Sequence, residues 1–137
     1  MAHTLPPLVQ LLKRDRRYRF EAYQFLREGL EYAHRKLGMG RRPPADADAA
    51  PRHESHVTGQ ELCEALRLYA LDQYGYLAKA VLNSWGLQAT SDFGEIVYNL
   101  IGINEMRKSA SDRREDFDGV YDFEQAFVKD FAITSSE

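Results

Sequence analysis

The stretch VTGQELCEALRLYALDQYG, residues 57–75, decides the fold because it predicts both ends of one helix. Thr58 and Glu61 have the spacing of a capping box, in which each side chain accepts the backbone N–H of the other residue. Gly75 follows the last apolar residue and predicts the end of the helix. Between these signals, apolar residues recur every three or four positions along one side: Leu62, Ala65, Leu66, Tyr69, Ala70 and Tyr74.

The rest of the chain carries the same kind of pattern in other segments. Apolar spacing predicts helices near 6–14, 19–37, 76–85 and 92–103, and a last short helix opens at Asp122. No segment has the alternation of apolar and polar residues that a core strand requires. The predicted fold class is therefore mainly α, a compact bundle of five to six helices with a possible small β-hairpin.

Single residues predict how several of these helices pack, end or begin. Gly29 lies inside a helical segment, which predicts close packing against a neighbouring helix. Gly86 predicts a left-handed helix end. Asp92 and Asp112 each precede a glutamate by three residues, so both predict the start of a helical turn.

The chain predicts a single domain over residues 1–137, a length that can bury a useful core. Residues 38–55, GMGRRPPADADAAPRHES, have no periodicity and are rich in glycine, proline, alanine and aspartate. This composition predicts a flexible internal loop. Residues 132–137 predict a frayed tail.

The composition predicts a cytoplasmic protein. It is 44% hydrophobic and 28% charged, which is typical of a soluble globular domain. The single cysteine, Cys63, cannot form an internal disulfide, which fits a reducing compartment. No stretch is apolar enough for a membrane span, and the N-terminal basic residues follow the apolar run instead of preceding it as in a secretory signal.

The net charge of −3 is unevenly spread. Residues 1–42 carry ten basic and four acidic residues, whereas residues 43–137 carry eight basic and seventeen acidic ones. This asymmetry predicts either an anion-binding surface for a protein partner or RNA, or an attraction between the two parts of one domain. The candidate contact residues are Lys13, Arg14, Arg16, Arg17, Arg19, Arg41 and Arg42.

A short loop before the quoted helix is the candidate metal site. His53, Glu54 and His56 could supply three ligands, with Cys63 or His34 as a fourth. The two loop histidines are one residue closer than in the helical H-E-x-x-H motif. The favoured interpretation is a solvated loop that leads into the helix cap, and a small metal-dependent enzyme is the alternative.

The sequence lacks the motifs of the common enzyme classes. It contains no P-loop, dinucleotide fingerprint or serine elbow. Asp92-Phe93-Gly94 matches the kinase magnesium triplet, but the other kinase motifs are missing. Cys63 has no identifiable histidine base. We therefore expect a non-enzymatic macromolecular binding module that uses no cofactor.

A nucleic-acid-associated factor is the alternative from another class. The helices and the possible hairpin over 58–121 follow the order of a winged helix, in which 92–103 would be the recognition helix. This helix contains no Lys or Arg, and its first turn is acidic. Because contacts to phosphates and bases depend on cations and amides, sequence-specific DNA binding is disfavoured.

Four stretches also carry a family resemblance: Tyr18 with AYQFL at 22–26, HVTGQELCEALRLYAL at 56–71, WGLQATSDFGEIVYNLI at 85–101 and DFDGVYDFEQAF at 116–127. Together they are similar to a family of small uncharacterised bacterial proteins of planctomycetes, verrucomicrobia and acidobacteria. The Trp-Gly pair and the Asp-Phe-Gly-Glu-Ile-Val run are the specific part. The resemblance implies a small, mostly helical domain, and it implies no activity or catalytic residue.

Overall fold

A computed structural model of the chain describes residues 5–40 and 56–131. Within these ranges the α-helices are α1 (Pro7–Arg14), α2 (Phe20–Arg35), α3 (Gly59–Tyr74), α4 (Ala78–Ser84) and α5 (Thr90–Gly102). Shorter 3₁₀ turns cover Gly75–Leu77 and Arg114–Phe117, and a π-helical turn covers Gln125–Lys129. The described residues form no strand, and the mainly α class is confirmed.

Two predicted segments fall outside these ranges. The predicted loop beyond residue 40 and the predicted tail at 132–137 lie outside the described residues. Within 5–40 and 56–131, no helix combines the length and apolar character needed to cross a membrane.

Helix α3 begins and ends where its sequence predicts. The Glu61 N–H donates to Thr58 Oγ1 over 3.1 Å, and the Thr58 N–H donates to Glu61 Oε1 over 3.0 Å, so the capping box is complete. Gly75 has a φ of +53°, and Gly86, after α4, has a φ of +97°. Both lie in the left-handed region that glycine adopts without steric cost, which confirms the two predicted helix ends.

Helices α2 and α3 pack closely and form the centre of the fold. A Cβ atom at Gly29 would lie 2.2 Å from Leu66 Cδ2, so the helices can approach only because this position has no side chain. Each large apolar side chain that folding buries contributes about 1.5–3 kcal/mol. The fully buried side chains of the core include Leu11, Tyr23, Phe25, Leu26, Leu82, Phe93, Ile96, Leu100 and Phe127.

Helix α5 begins at Thr90, two residues before the predicted start at Asp92. Asp92 is the third helical residue, and its Oδ2 accepts the backbone N–H groups of Gln88 over 2.9 Å and Ala89 over 3.1 Å. A carboxylate in the first turn can satisfy N–H groups that lie before it, so aspartate here marks the inside of the turn. The spacing located the helix start to within one turn and misassigned the cap.

Phe117 anchors the segment after α5 between α3 and α5. A Cβ atom at Gly94 would lie 2.9 Å from Phe117 Cβ, and one at Gly59 would lie 3.2 Å from Phe117 Cε2. The buried hydroxyl of Thr90 donates to the Phe117 carbonyl over 2.6 Å. Two glycines and one buried hydroxyl therefore fix this segment against the body.

The possible β-hairpin after α5 is not formed within 103–121, and turns take its place. Asp112 Oδ2 accepts the Ser109 N–H over 2.9 Å, and Asp116 Oδ2 accepts the Arg113 N–H over 3.1 Å. Each aspartate thus closes a local turn with its own backbone, which competes with strand pairing. The helical turn predicted to start at Asp112 lies at Arg114–Phe117 instead. Within 103–121 no hairpin is present to serve as the wing of a winged helix.

Candidate functional site

One arginine of the basic segment forms ion pairs with other residues of the fold. Arg17 donates to both carboxylate oxygens of Asp15, through Nη2 over 2.7 Å and through Nε over 3.0 Å. Arg17 Nη2 also lies 3.2 Å from Glu95 Oε1 on α5. The bonds from Arg17 hold the pKa of the Asp15 carboxyl well below its usual range. Arg17 therefore fastens the α1–α2 connection to α5.

The other cations of the segment face solvent. Lys13, Arg14 and Arg16 are exposed and form no ion pair with a residue that the structure describes. Arg19 is also exposed, and its Nε lies 3.7 Å from the nearest carboxylate. Phe20, the next residue, is 46% exposed although it is a large aromatic residue. We call these five residues the basic surface; Arg41 and Arg42 lie outside the described residues.

Part of the charge asymmetry is used to join the two parts of the chain. Arg17 pairs with Glu95, and Arg27 Nη1 lies 3.1 Å from Glu105 Oε1. Both pairs connect the basic residues of 1–42 to the acidic remainder. The predicted attraction between the two parts is present, and the cations of the basic surface take no part in it among the described residues.

The side of α5 that carries Asp92, Glu95 and Asn99 is closed by hydrogen bonds, and we call it the closed face. Tyr18 OH donates to Asp92 Oδ1 over 2.5 Å, and burial with this bond raises the pKa of Tyr18. Asn99 Nδ2 lies 3.0 Å from both Asp15 Oδ2 and Tyr23 OH. The closed face therefore holds the segment between α1 and α2 that carries part of the basic surface.

The candidate metal ligands do not converge within the described residues. His53 and Glu54 lie outside them. Cys63 is buried in the core, and this burial raises the pKa of its thiol to about 12. His34 Nδ1 lies 3.1 Å from the Met39 carbonyl. Among the described residues no three His, Cys, Asp or Glu side chains are grouped to hold a metal, so a site with His53 and Glu54 stays a prediction.

A cleft of about 470 Å³ opens beside α5, and we call it the α5 cleft. Its position is set by the Phe117 anchor, which holds the turns after α5 away from the end of α2. The apolar part of its wall comes from α2, α3, α5 and the turns: Leu30, Leu62, Val97, Ile101, Met106 and Phe117. A mostly apolar concavity of this size with a few polar groups is typical of a small-molecule site.

Two polar atoms of the cleft wall are buried without a hydrogen-bond partner among the described residues, Tyr98 Oη and His56 Nε2. Burial raises the pKa of the Tyr98 hydroxyl, and the nearby Asp112 and Asp116 carboxylates raise it further. His56 Nε2 lies 2.6 Å from Asp112 Oδ2, within ion-pair distance, so the Tyr98 hydroxyl is the atom that is left without such a contact. Buried polar atoms are nearly always paired, so the Tyr98 hydroxyl points to a missing partner.

The charges of the cleft differ in their exposure. The Asp112 and Asp116 carboxylates are partly buried, whereas Arg107 and Arg113 are exposed at the rim. The remaining acid of the wall, Glu105, is paired with a cation outside the cleft. Arg114 lies 4.9 Å from the Tyr98 ring centroid, but it is half exposed and paired with Glu95 over 2.8 Å. Because partly buried charges are screened less by water, the two aspartates are the less screened charges of the cleft interior.

The sequence indicated separate residues of the cleft and missed the cleft itself. His56 was considered as a metal ligand and Asp112 as a helix cap, and neither pattern predicts that the two side chains are 2.6 Å apart. Tyr98 lies on the apolar stripe of α5 and gives no separate signal. The acidic residues between 112 and 124 are the one sequence feature that places charge after this amphipathic helix.

Comparison of the chain with protein-family models, with curated proteins and with solved structures found no match. The resemblance to a bacterial family therefore stays a prediction, and the function has to be argued from the geometry alone.

Proposed function

We propose that this protein is a non-enzymatic binding module whose basic surface docks onto an acidic surface of a partner protein. The observation that carries the proposal is the different treatment of neighbouring cations. Arg17, although half exposed, is tied to Asp15 and Glu95. Lys13, Arg14 and Arg16 are exposed and form no ion pair with a described residue, and the exposed Arg19 has only a 3.7 Å contact to Glu21. Exposed cations beside an anchored arginine are suited to long-range attraction and orientation of an acidic partner.

The apolar residues near these cations favour a protein partner over RNA. Phe20 is 46% exposed, Leu5 is 42% exposed and Val9 is 36% exposed. Protein interfaces combine aromatic residues and arginine, and their centres exclude water from such anchors.

DNA reading through α5 has no support in the geometry. Phe93, Ile96 and Val97 of this helix are buried in the core. Asp92 and Glu95 are bound to residues of the α1–α2 region. A recognition helix needs a free polar face that enters the major groove, and no such face is present here.

The test is a charge reversal of Arg16 and Arg19 in the full chain, with affinity capture from the native cell. Arg16→Glu with Arg19→Glu should reduce recovery of the specific partner at least about tenfold, because complementary charges govern encounter and register. Arg17 is left unchanged, because a glutamate there would face Asp15 and Glu95 and disturb the fold. The matched control is Lys36→Glu with Lys129→Glu, which makes the same charge change at exposed positions away from this surface.

Treatment of the lysate with nuclease separates the two kinds of partner. A protein that is retained after nuclease, lost in the Arg16 and Arg19 variant and kept in the control would support the proposal. Recovery that disappears with nuclease would assign the surface to RNA instead, and equal recovery by all variants would refute the basic surface as the contact.

A further inference from the structure

We propose that the α5 cleft binds a small organic ammonium compound with an apolar body. The site is independent of the basic surface, since its wall comes from α2, α3, α5 and the turns after α5. The three observations that carry the proposal are the apolar cavity, the buried Tyr98 hydroxyl without a partner among the described residues, and the placement of the carboxylates.

The size and wall of the cleft set the body of the ligand. A volume of about 470 Å³ accommodates a molecule with an aryl group or a short alkyl chain. Leu30 and Ile101 contribute apolar wall from two different helices, and Met106 contributes from the turn after α5. A methionine adapts to ligand shape because its side chain is unbranched and polarisable. The wall therefore favours an apolar group of modest size.

The unpaired hydroxyl sets the position of the polar head. Tyr98 Oη is buried and has no partner among the described residues, although a buried hydroxyl ordinarily has one. A ligand group that hydrogen-bonds to Tyr98 Oη would replace the water lost on burial. The head of the ligand is thus expected beside Tyr98 and Asp112.

The carboxylates set the sign of the charge. Asp112 and Asp116 are partly buried, and both raise the pKa of Tyr98. Arg114 lies 4.9 Å from the Tyr98 ring centroid and lowers this pKa, but Arg114 is half exposed and paired with Glu95 over 2.8 Å. Arg107 and Arg113 line the rim but are exposed, so water screens them more strongly than the two aspartates. An ammonium group has three donors and no acceptor, which matches the Tyr98 hydroxyl oxygen and the Oδ1 atoms of the two aspartates, whose Oδ2 atoms accept backbone N–H groups.

Three probes with one skeleton test the charge. These are 3-phenylpropan-1-amine, 3-phenylpropan-1-ol and 3-phenylpropanoate, added to the full chain at neutral pH and followed by calorimetry and by amide chemical shifts. The amine should bind at least about tenfold more tightly than the alcohol or the carboxylate, as expected for charge-assisted hydrogen bonds. Similar affinities for the amine and the alcohol, tighter binding of the carboxylate, or no binding of any probe would overturn the proposal.

Variants of the head group site test the location. Tyr98→Phe should weaken amine binding about three- to tenfold, and Asp112→Asn about tenfold, while selectivity over the alcohol falls in the aspartate variant. Asp118→Asn is the matched control, because this exposed acid lies outside the cleft wall. Tyr98→Phe removes an unpaired hydroxyl, so it keeps the test valid if Asp112→Asn fails to fold. Unchanged affinity in Tyr98→Phe would overturn the assignment.

Discussion

Two faces of the same helix, α5, treat their polar side chains in opposite ways. On the closed face, Asp92, Glu95 and Asn99 are all paired with residues of the α1–α2 region. On the open face, which lines the α5 cleft with Val97, Tyr98 and Ile101, the Tyr98 hydroxyl has no partner among the described residues. The polar side chains of both faces belong to the same helix.

The difference separates polar groups that stabilise the fold from polar groups that are free to bind a ligand. A hydrogen bond between buried groups contributes about 0.5–1.5 kcal/mol to the free energy of unfolding, and more where one partner is charged. An unpaired buried group costs free energy until something binds it. Closed and open faces should therefore respond differently to the same chemical change, and the following predictions use that difference.

The largest loss of stability is expected at Gly86, the glycine after α4, which lies against the backbone of Arg17. Gly86 has a φ of +97°, and a Cβ atom there would lie 2.3 Å from the Arg17 backbone carbonyl oxygen. Gly86→Ala should lower the free energy of unfolding by about 3 kcal/mol, because it adds backbone strain to a clash with backbone atoms. Urea denaturation measures this change.

The control for this substitution is at the end of α5. A Cβ atom at Gly102 would have no neighbour within 4 Å. Gly102→Ala should leave the stability unchanged or raise it by less than about 1 kcal/mol. Equal stabilities for the two alanine variants would contradict the role of Gly86.

A smaller loss is expected from the central hydrogen bonds of the closed face. Asn99→Leu keeps the branched shape but removes the amide that donates to Asp15 Oδ2 and Tyr23 OH. The loss should be about 2 kcal/mol, because two partly buried groups lose a partner. Thermal and urea unfolding would both report it, and a stability within about 0.5 kcal/mol of the original protein would show that these bonds are not needed.

The most direct comparison deletes one hydroxyl on each face. Tyr18→Phe removes the bond to the Asp92 carboxylate and should cost about 1.5 kcal/mol. Tyr98→Phe removes a hydroxyl without a partner among the described residues, so the cost should stay below about 0.5 kcal/mol. Denaturation of the two variants under one condition measures the difference. A larger loss for Tyr98→Phe would reverse our assignment of the faces.

The smallest effect is a change in the pH dependence of stability. The Arg17 guanidinium lowers the pKa of Asp15, so the ionised carboxylate stabilises the folded state above the unfolded-state pKa of about 4. This contribution is lost as the pH falls through the lower folded-state pKa. Asp15→Asn should therefore be less stable near neutral pH and lose about 0.5–1 kcal/mol less between about pH 6 and pH 2.

The measurement is a series of urea midpoints across that pH range for both proteins. Glu95, whose pKa is also lowered, mainly by the bond from Arg114, remains in both proteins, so its Arg114 contribution is common to the two pH curves. Parallel pH curves would show that the Asp15–Arg17 pair contributes nothing to the acid sensitivity.

Much of the helical framework could be predicted because its signals are local. The capping box at Thr58 and the ends at Gly75 and Gly86 depend on contacts within about one helical turn. The close approach at Gly29 was also indicated, since a glycine inside a helix needs a packing reason. The misplaced start at Asp92 shows the limit of spacing alone, because an aspartate serves equally well one turn inside the helix.

The basic surface likewise combines a local feature, which the sequence indicates, with a long-range contact, which it does not. Lys13, Arg14, Arg16 and Arg19 are adjacent in the chain, so their charge density was visible in the sequence. Nothing local indicated that Arg17, in the middle of that segment, bonds to Asp15 and Glu95. Its role depends on α5 packing beside it, seventy-eight residues later in the chain.

Tyr98 and Asn99 show most clearly what each level of structure decided. They are neighbours in the sequence, and the sequence by itself determined that both lie on one amphipathic helix, because apolar spacing and hydrogen bonding within a turn are local. Only the tertiary structure decided that Asn99 meets Asp15 and Tyr23 while Tyr98 faces an open cleft. That outcome depends on which segments pack against each face, and successive residues of a helix point about 100° apart.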